Sequence, residues 1–252
     1  MKRVSFCAPL TAVPVKLMEI IIATAVIFIG SFVQSSLGFG LAIISAPVLF
    51  FLDPLYVPAP ITVAALTLSL ANAAKHSNSI SFSGLKFALI GRIPGTIAGG
   101  LLLFWISVDQ LALWLGMSVI AAVLLSFSRI VLRPTPKAMF SAGFLSGFMG
   151  TSTSIGGPPM ALLLQHEDSD FIRANMAAFF CVSCLMSLTM LAILGRFELR
   201  HIMISLPLMP ATLLGYWVAN MTFHKIPHRI LRISSLLLCA IAGALAIGSY
   251  WL

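Results

Sequence analysis

The chain runs for long distances without a charge. No Asp, Glu, Lys or Arg occurs in residues 20–52, 54–74, 110–128, 138–166, 174–195, 201–224 or 233–252, and 87–108 holds a single one, Arg92. Together these stretches make up about three quarters of the 252 residues. An ionised group in hydrocarbon is costly, whereas about 20 apolar residues of helix span a bilayer core about 30 Å thick. Composition points the same way: 60% of residues are hydrophobic and 9% charged, against about 25% charged in soluble domains, too few to coat a globule. Backbone in lipid must satisfy its own hydrogen bonds, which leaves helices or a closed barrel. Barrel strands read as alternating segments of about 10 residues; these runs are longer and apolar on every face. The pattern predicts an all-α polytopic membrane protein.

Eight transmembrane crossings are expected, near 20–52, 58–74, 82–105, 110–131, 138–165, 171–195, 199–221 and 229–250. Lys and Arg collect in cytoplasmic loops. If each apolar unit crosses once, Lys2, Arg3, Lys16, Lys75, Lys86, Arg129, Arg133, Lys137, Arg196 and Arg200 all fall inside, with both termini cytoplasmic. Lys225, Arg229 and Arg232 fall on the wrong side. A cleaved leader is not expected, because Pro9, Pro14, Lys16 and Glu19 interrupt the segment after Lys2 and Arg3. The net charge of +8 is scattered singly through short loops, which suits lipid head groups and topology better than nucleic acid. Cys7, Cys181, Cys184 and Cys239 form no disulfide framework, and the spacing of Cys181 and Cys184 falls within an apolar helix.

Two halves resemble each other. Pro94-Gly95-Thr96-Ile97-Ala98-Gly99 returns as Pro210-Ala211-Thr212-Leu213-Leu214-Gly215, an offset of 116, and glycine-rich stretches near Gly38 and Gly156 coincide at about the same offset. The duplication divides the chain into repeats 1–132 and 137–252. Four crossings in each would relate them in parallel; an odd number would invert them.

The first run of each half is too long for one straight span and carries a polar, glycine-bearing interruption. One is Gln34-Ser35-Ser36-Leu37-Gly38-Phe39-Gly40, followed by Pro47. The other is Gly150-Thr151-Ser152-Thr153-Ser154-Ile155-Gly156-Gly157-Pro158-Pro159. Broken or re-entrant helices are expected at both, buried in protein or lining an aqueous cavity, since nothing in hydrocarbon pairs the freed amides. Broken helices at matching places in two halves mark a transporter's binding site. Half-helix N-termini there offer N–H donors and positive dipole charge to an anion. The candidate substrate-binding residues are Gln34, Ser35, Ser36, Gly38, Gly40, Thr151, Ser152, Thr153, Ser154, Gly156 and Gly157. The competing reading has the hydroxyls bonding back to helix carbonyls while the glycines only permit close packing.

Arg92 joins the candidates as the lone cation deep in an apolar run, two residues before Pro94; the alternative is a long stem snorkelling to head groups beside Lys86. At the same offset the second half has Leu208. Structural roles are expected for Pro47, Pro94, Pro158, Pro159 and Pro210, and for Gly95, Gly99 and Gly215. Gly91, Gly95 and Gly99 stand at steps of four, as do Ala211, Gly215 and Ala219, which lets helix backbones approach. Asn72 is a lining group or an interhelical bond. Catalysis is disfavoured: His76, His166, His201, His224 and His228 lie at run ends, and no carboxylate falls within a span to serve as a base. No metal site or cofactor is expected.

Several of these motifs together resemble the sulfite exporter TauE/SafE family. They are Gly38-Phe39-Gly40-Leu41-Ala42 running to Pro47, Pro94-Gly95-Thr96 with Gly99, Gly143-Phe144-Leu145-Ser146-Gly147 continuing to Ile155-Gly156-Gly157-Pro158-Pro159, and Arg173-Ala174 after the acidic loop. The resemblance covers nearly the whole chain in order. It implies a permease of a bacterial-type inner membrane that exports small anions such as sulfite or organosulfonates like sulfoacetate. A non-transporting scaffold and an anion channel are the alternatives; the oligomeric state is open.

Overall fold

Glycines decide where the first apolar run stops being one helix. In the computed structural model, which describes residues 17–127, 133–165, 167–222 and four positions between 237 and 244, α1 spans Leu17–Leu37 and α2 spans Leu41–Leu52. Between them Gly38 (φ 88°) and Gly40 (φ 130°) take backbone conformations that side chains resist. The chain turns back on itself there: Gly40 lies against Val33, and the Ser45 hydroxyl donates to the carbonyl of Val26. So 20–52 folds as a helical hairpin, α1 out and α2 back, and not as one interrupted crossing. Hydropathy measures how long a segment is in lipid; the turn geometry decides its direction.

After a 3-10 turn at Pro54–Tyr56 come α3 (Ala59–Lys75), α4 (Phe82–Trp105) and α5 (Val108–Phe127). Then come α6 (Pro136–Thr153), α7 (Gly157–Leu164), α8 (Ser169–Ile193), α9 (Leu199–Ser205) and α10 (Leu208–Thr222). Ser154 takes the left-handed conformation at the end of α6, and α7 folds back so that Gly156 abuts Gly150 and the carbonyl of Ser146. Pro94 is carried inside a continuous α4, whereas two turn residues separate α9 from α10 just ahead of Pro210. The second of those turn residues is Pro207, which has no N–H to carry the ladder on from α9.

Six segments among the described residues are long and apolar enough to cross a membrane: Leu17–Leu37, Pro54–Lys75, Phe82–Trp105, Val108–Leu125, Asp170–Ile193 and Leu199–Thr222. The expected crossing at 138–165 is not among them; α6 is heavy in Gly, Ser and Thr. The one expected at 229–250 lies outside the described residues, as do Lys2, Arg3, Cys7, Lys16, Arg129, His166, His224, Lys225, His228, Arg229, Arg232 and Cys239. All regular structure among the described residues is helical.

Helix directions follow from paired contacts. Gly91, Gly95 and Gly99 face the backbone of Phe140, Phe144 and Phe148, so α4 and α6 run parallel. A Cβ on any of the three would overlap the opposing carbonyl oxygen, so the two helix backbones are in direct contact. α8 runs with α4, since Asn175 bonds Ser79 and Ser81 near the start of α4 while Met190 abuts Gly100. α3 and α8 pass each other antiparallel: Ser69 and Asn72 share one cavity with Arg173 and Ala177, and Thr62 and Ala65 share another with Cys184 and Ser187. α1 runs with α3, for Asn72 near the end of α3 reaches Ser35 near the end of α1. The two hairpins therefore point in opposite directions. Around them sits a core that includes Ile27, Leu41, Leu49, Ile61, Leu68 and Leu208, and a second one with Met160, Met176 and Phe179 at its centre.

Candidate functional site

The tips of the hairpins meet. The α-carbon of Gly157 lies against the Phe39 and Phe180 rings, so the break before α2 and the break before α7 close on a shared space. A cavity of about 30 Å³, room for about two waters, lies between them. Its wall includes Gln34, Gly40, Arg92, Ser154, Gly156 and Gly157 from the expected set, together with Thr62, Phe180, Cys184 and Ser187. A smaller one of about 10 Å³ lies towards the α3–α4 loop and is lined by Gln34, Gly38, Ser69, Asn72, Arg173, Ala177 and Phe180. Gln34 and Phe180 belong to both and form the partition.

Arg92 is 3% exposed, reaching inward from the middle of α4. Its guanidinium donates to the Ser146 hydroxyl at 2.7 Å, to the Ser187 hydroxyl at 3.2 Å and to the carbonyl of Ser183 at 3.4 Å, and lies 5.4 Å from the centre of the Phe179 ring. These contacts hold it between α6 and α8, away from the head groups beside Lys86. Nε has no acceptor. The ion pair found among the described residues joins Arg173 to Asp170, near the loop side of α8, and no carboxylate reaches Arg92. Arginine stays protonated, so this is a buried cation balanced by neutral oxygens and an aromatic face. An uncompensated buried charge costs several kcal/mol, an energy that an anion entering the cavity would offset.

The hydroxyls divide. Ser36, Ser152 and Thr153 donate to the carbonyls of Phe32, Phe148 and Met149 within their own helices, the packing role that competed with ligand binding. Ser152 also accepts from the Trp114 indole at 2.9 Å. Ser35 accepts from Asn72 at 3.4 Å, so Asn72 makes an interhelical bond while also lining the smaller cavity. Thr151 lies one layer behind the cation, 2.8 Å from Ser187. Ser154 lines the cavity and is pinned to α3 through Thr62 and the carbonyl of Pro58.

The helix N-termini differ from a simple pair of open donors. The Gln34 carboxamide oxygen accepts from the Leu41 amide at 3.1 Å and so caps α2; the cavity wall continues through Ala42 and Ile43, whose first-turn amides have no acceptor within the helix. That bond turns the Gln34 NH2 group away from the backbone. On α7, Pro158 and Pro159 have no N–H to give, which leaves Gly157 as the donor of the first turn. Ser146, Ser183 and Ser187 were not among the expected site residues. Ser183 and Ser187 are four apart in the apolar stretch of α8 after Asn175, hence on one face, and that spacing was the available signal, although Ser183 takes part through its carbonyl. The described residues contain no cluster of His, Cys, Asp and Glu fit to hold a metal ion. His76, at the end of α3, is held below the usual histidine range by burial first, then by Arg173 and Lys75, with Asp170 opposing.

The sequence profile described as Sulfite exporter TauE/SafE matches residues 22–246. The chain belongs to the TauE/SafE sulfite exporter family. The match takes in both hairpins, Arg92 and all ten helices apart from the first turn of α1. Membership makes the protein a multi-pass membrane transporter with a small-molecule substrate. No curated protein and no solved structure matches it at a significant level. The TauE/SafE profile identifies the class of protein; the cation between the hairpins is a property of this chain's own residues.

Proposed function

We propose that this protein is a permease for small anions, with sulfite and organosulfonates as the intended cargo, and that the anion binds in the cavity between the two hairpin tips. The observation that carries this reading is Arg92: a cation at the depth of an apolar span, supported by serines and lacking a carboxylate. Gln34 and the first turn of α2 supply neutral donors on the opposite wall. The cavity is too tight for an anion beyond a few atoms, so the geometry corresponds to a closed state from which the hairpins must part. With the cell interior negative, outward movement of one negative charge is favoured by about 2.3 kcal/mol per 100 mV. Export then needs a selective pathway more than a coupling machine.

The test is radiolabelled anion flux into proteoliposomes. Arg92→Gln should lower the flux about tenfold or more, the order expected when a buried charged partner is removed. Gly157→Leu, which fills the space beside Phe39 and Phe180, should do the same. Full flux in both variants overturns the site, and no flux of any anion by the wild type favours a scaffold.

The halves 1–132 and 137–252 are related in this reading as inverted repeats, in place of the parallel relation expected from four crossings each. The opposed directions of α1 and α6, and of α3 and α8, support that. Following the helices, the ends of α3, α5 and α10 share one face with the starts of α4, α6 and α8. That face collects Lys75, Lys86, Arg133, Lys137 and Arg173, and Lys225 follows α10 in sequence. The rule for basic loops makes it cytoplasmic, which puts the start of α1 outside and removes the anomaly of the last basic loop. In whole cells, an impermeant thiol reagent should label Ser107→Cys and spare Ser77→Cys in a background without native cysteines; the reverse pattern overturns this orientation.

A further inference from the structure

Among the described residues, Arg92 is the one positive charge lining the larger cavity. Arg173 lies beyond the Gln34–Phe180 partition, in the smaller cavity, and carries Asp170 at 2.5 Å. Every other polar group facing the larger cavity is neutral: the Gln34 amide, the Thr62, Ser154 and Ser187 hydroxyls, and backbone N–H groups. Much of the remaining wall is apolar, with Ile43, Ile155, Phe180 and Cys184. At the position that pseudo-symmetry would make equivalent to Arg92, the second half has Leu208, fully buried in the core.

We infer that the site selects its cargo by valence, taking monoanions with a single oxyanion head, such as hydrogensulfite and small alkylsulfonates, and rejecting dianions such as sulfate, the sulfite dianion and sulfoacetate. This rests on the anion-permease reading and deepens it. The energy of removing an ion from water rises with the square of its charge, while its attraction to one cation rises only in proportion. A monoanion beside Arg92 makes a neutral buried pair. A dianion leaves a net negative charge at the depth of the bilayer core, with only neutral dipoles to answer it. Phe180, Ile43 and Ile155 give a small alkyl group somewhere dry to sit and give a second carboxylate nothing.

Valence selection has a consequence for protons. Sulfite exchanges between its monoanion and dianion near neutral pH. A site restricted to monoanions carries it as hydrogensulfite, so each anion leaves with a proton attached. Export would then look proton-linked with no titrating side chain in the pathway, and none of the described spans places a carboxylate beside the cavity.

Flux through the wild-type protein in proteoliposomes decides it, with methanesulfonate, sulfate and sulfoacetate compared at equal concentration. Methanesulfonate and sulfate are close in size and differ in charge. The expected result is an uptake efficiency for methanesulfonate about tenfold or more above that of either dianion. Across the second ionisation of sulfite, sulfite flux should fall with the hydrogensulfite fraction while methanesulfonate flux stays level. Sulfate or sulfoacetate moving as fast as methanesulfonate, or sulfite flux following the dianion, overturns valence selection and leaves the permease intact. Failure of every anion to move removes the permease reading and this inference with it.

Discussion

Where α1 ends, the chain reverses through Gly38 and Gly40, residues without a side chain to strain. Where α6 ends, it reverses through Ser154, a residue with a side chain in the left-handed region, anchored by bonds to Thr62 and Pro58. The arms differ too. α2 is 12 residues long, about 18 Å, and offers several first-turn amides; α7 is 8 residues, and Pro158 and Pro159 leave it the Gly157 amide alone. The first hairpin thus supplies neutral donors, and the second supplies the surface on which Arg92 docks, through Ser146 and Gly150. Arg92 against Leu208 is the sharpest case: one position carries the charge of the site and its counterpart holds up the core.

The two regions differ most at the helix contacts behind each hairpin. α4 approaches α6 through three glycines in a row, with Gly143 and Gly147 answering from the other side. α10 approaches α1 through Gly215 alone, flanked by Ala211 and Ala219. Gly95→Ala sets a methyl group on the carbonyl of Phe144 with no flexible atom to yield, and should cost about 3 kcal/mol or more, above the usual overpacking range. Gly215→Ala meets the carbonyl of Phe28 and the Ser31 side chain and should cost about 1–3 kcal/mol. Thermal midpoints in detergent, with the monodisperse fraction, measure both. Equal losses would mean that the α4–α6 seam is no tighter than its counterpart.

Much of this was legible beforehand, and the reasons for the rest are physical. Charge-free runs located the spans because hydrocarbon penalises charge whatever the fold. The breaks near Gly38–Gly40 and Ser154–Gly157 were legible because glycine and proline act locally. What a break does next was not: a reversal and a bend have the same composition, and the direction depends on dihedral angles at two residues. That direction matters beyond the break, since one reversed segment changes the side on which every later loop emerges. Arg92 was visible as an anomaly, but its partners were not, because Ser146, Ser183 and Ser187 are ordinary residues until three helices converge. The Ser152-Thr153 pair drew attention by its polarity, yet helix geometry turns both hydroxyls onto carbonyls one turn back.

The smallest effect separates the two turns themselves. At Gly40, φ 130° admits alanine only with strain, and the new Cβ would stand 3.0 Å from Val33; Gly40→Ala should cost about 1–3 kcal/mol and lower flux by distorting the first turn of α2. Ser154 inverts the experiment. Ser154→Gly relieves about 1 kcal/mol of left-handed strain but gives up hydrogen bonds to Thr62 and Pro58 worth about 1 kcal/mol each, and loosens the unfolded chain. Ser154→Ala keeps the strain and loses the same bonds. Glycine should therefore be the milder substitution by about 0.5–1 kcal/mol, in a segment where alanine is ordinarily the better helix neighbour. Thermal midpoints of the two variants in one detergent give the order. If alanine proves the milder change, the turn at Ser154 is not held against its own backbone preference, and the contrast between a glycine-made and a tether-made reversal goes with it.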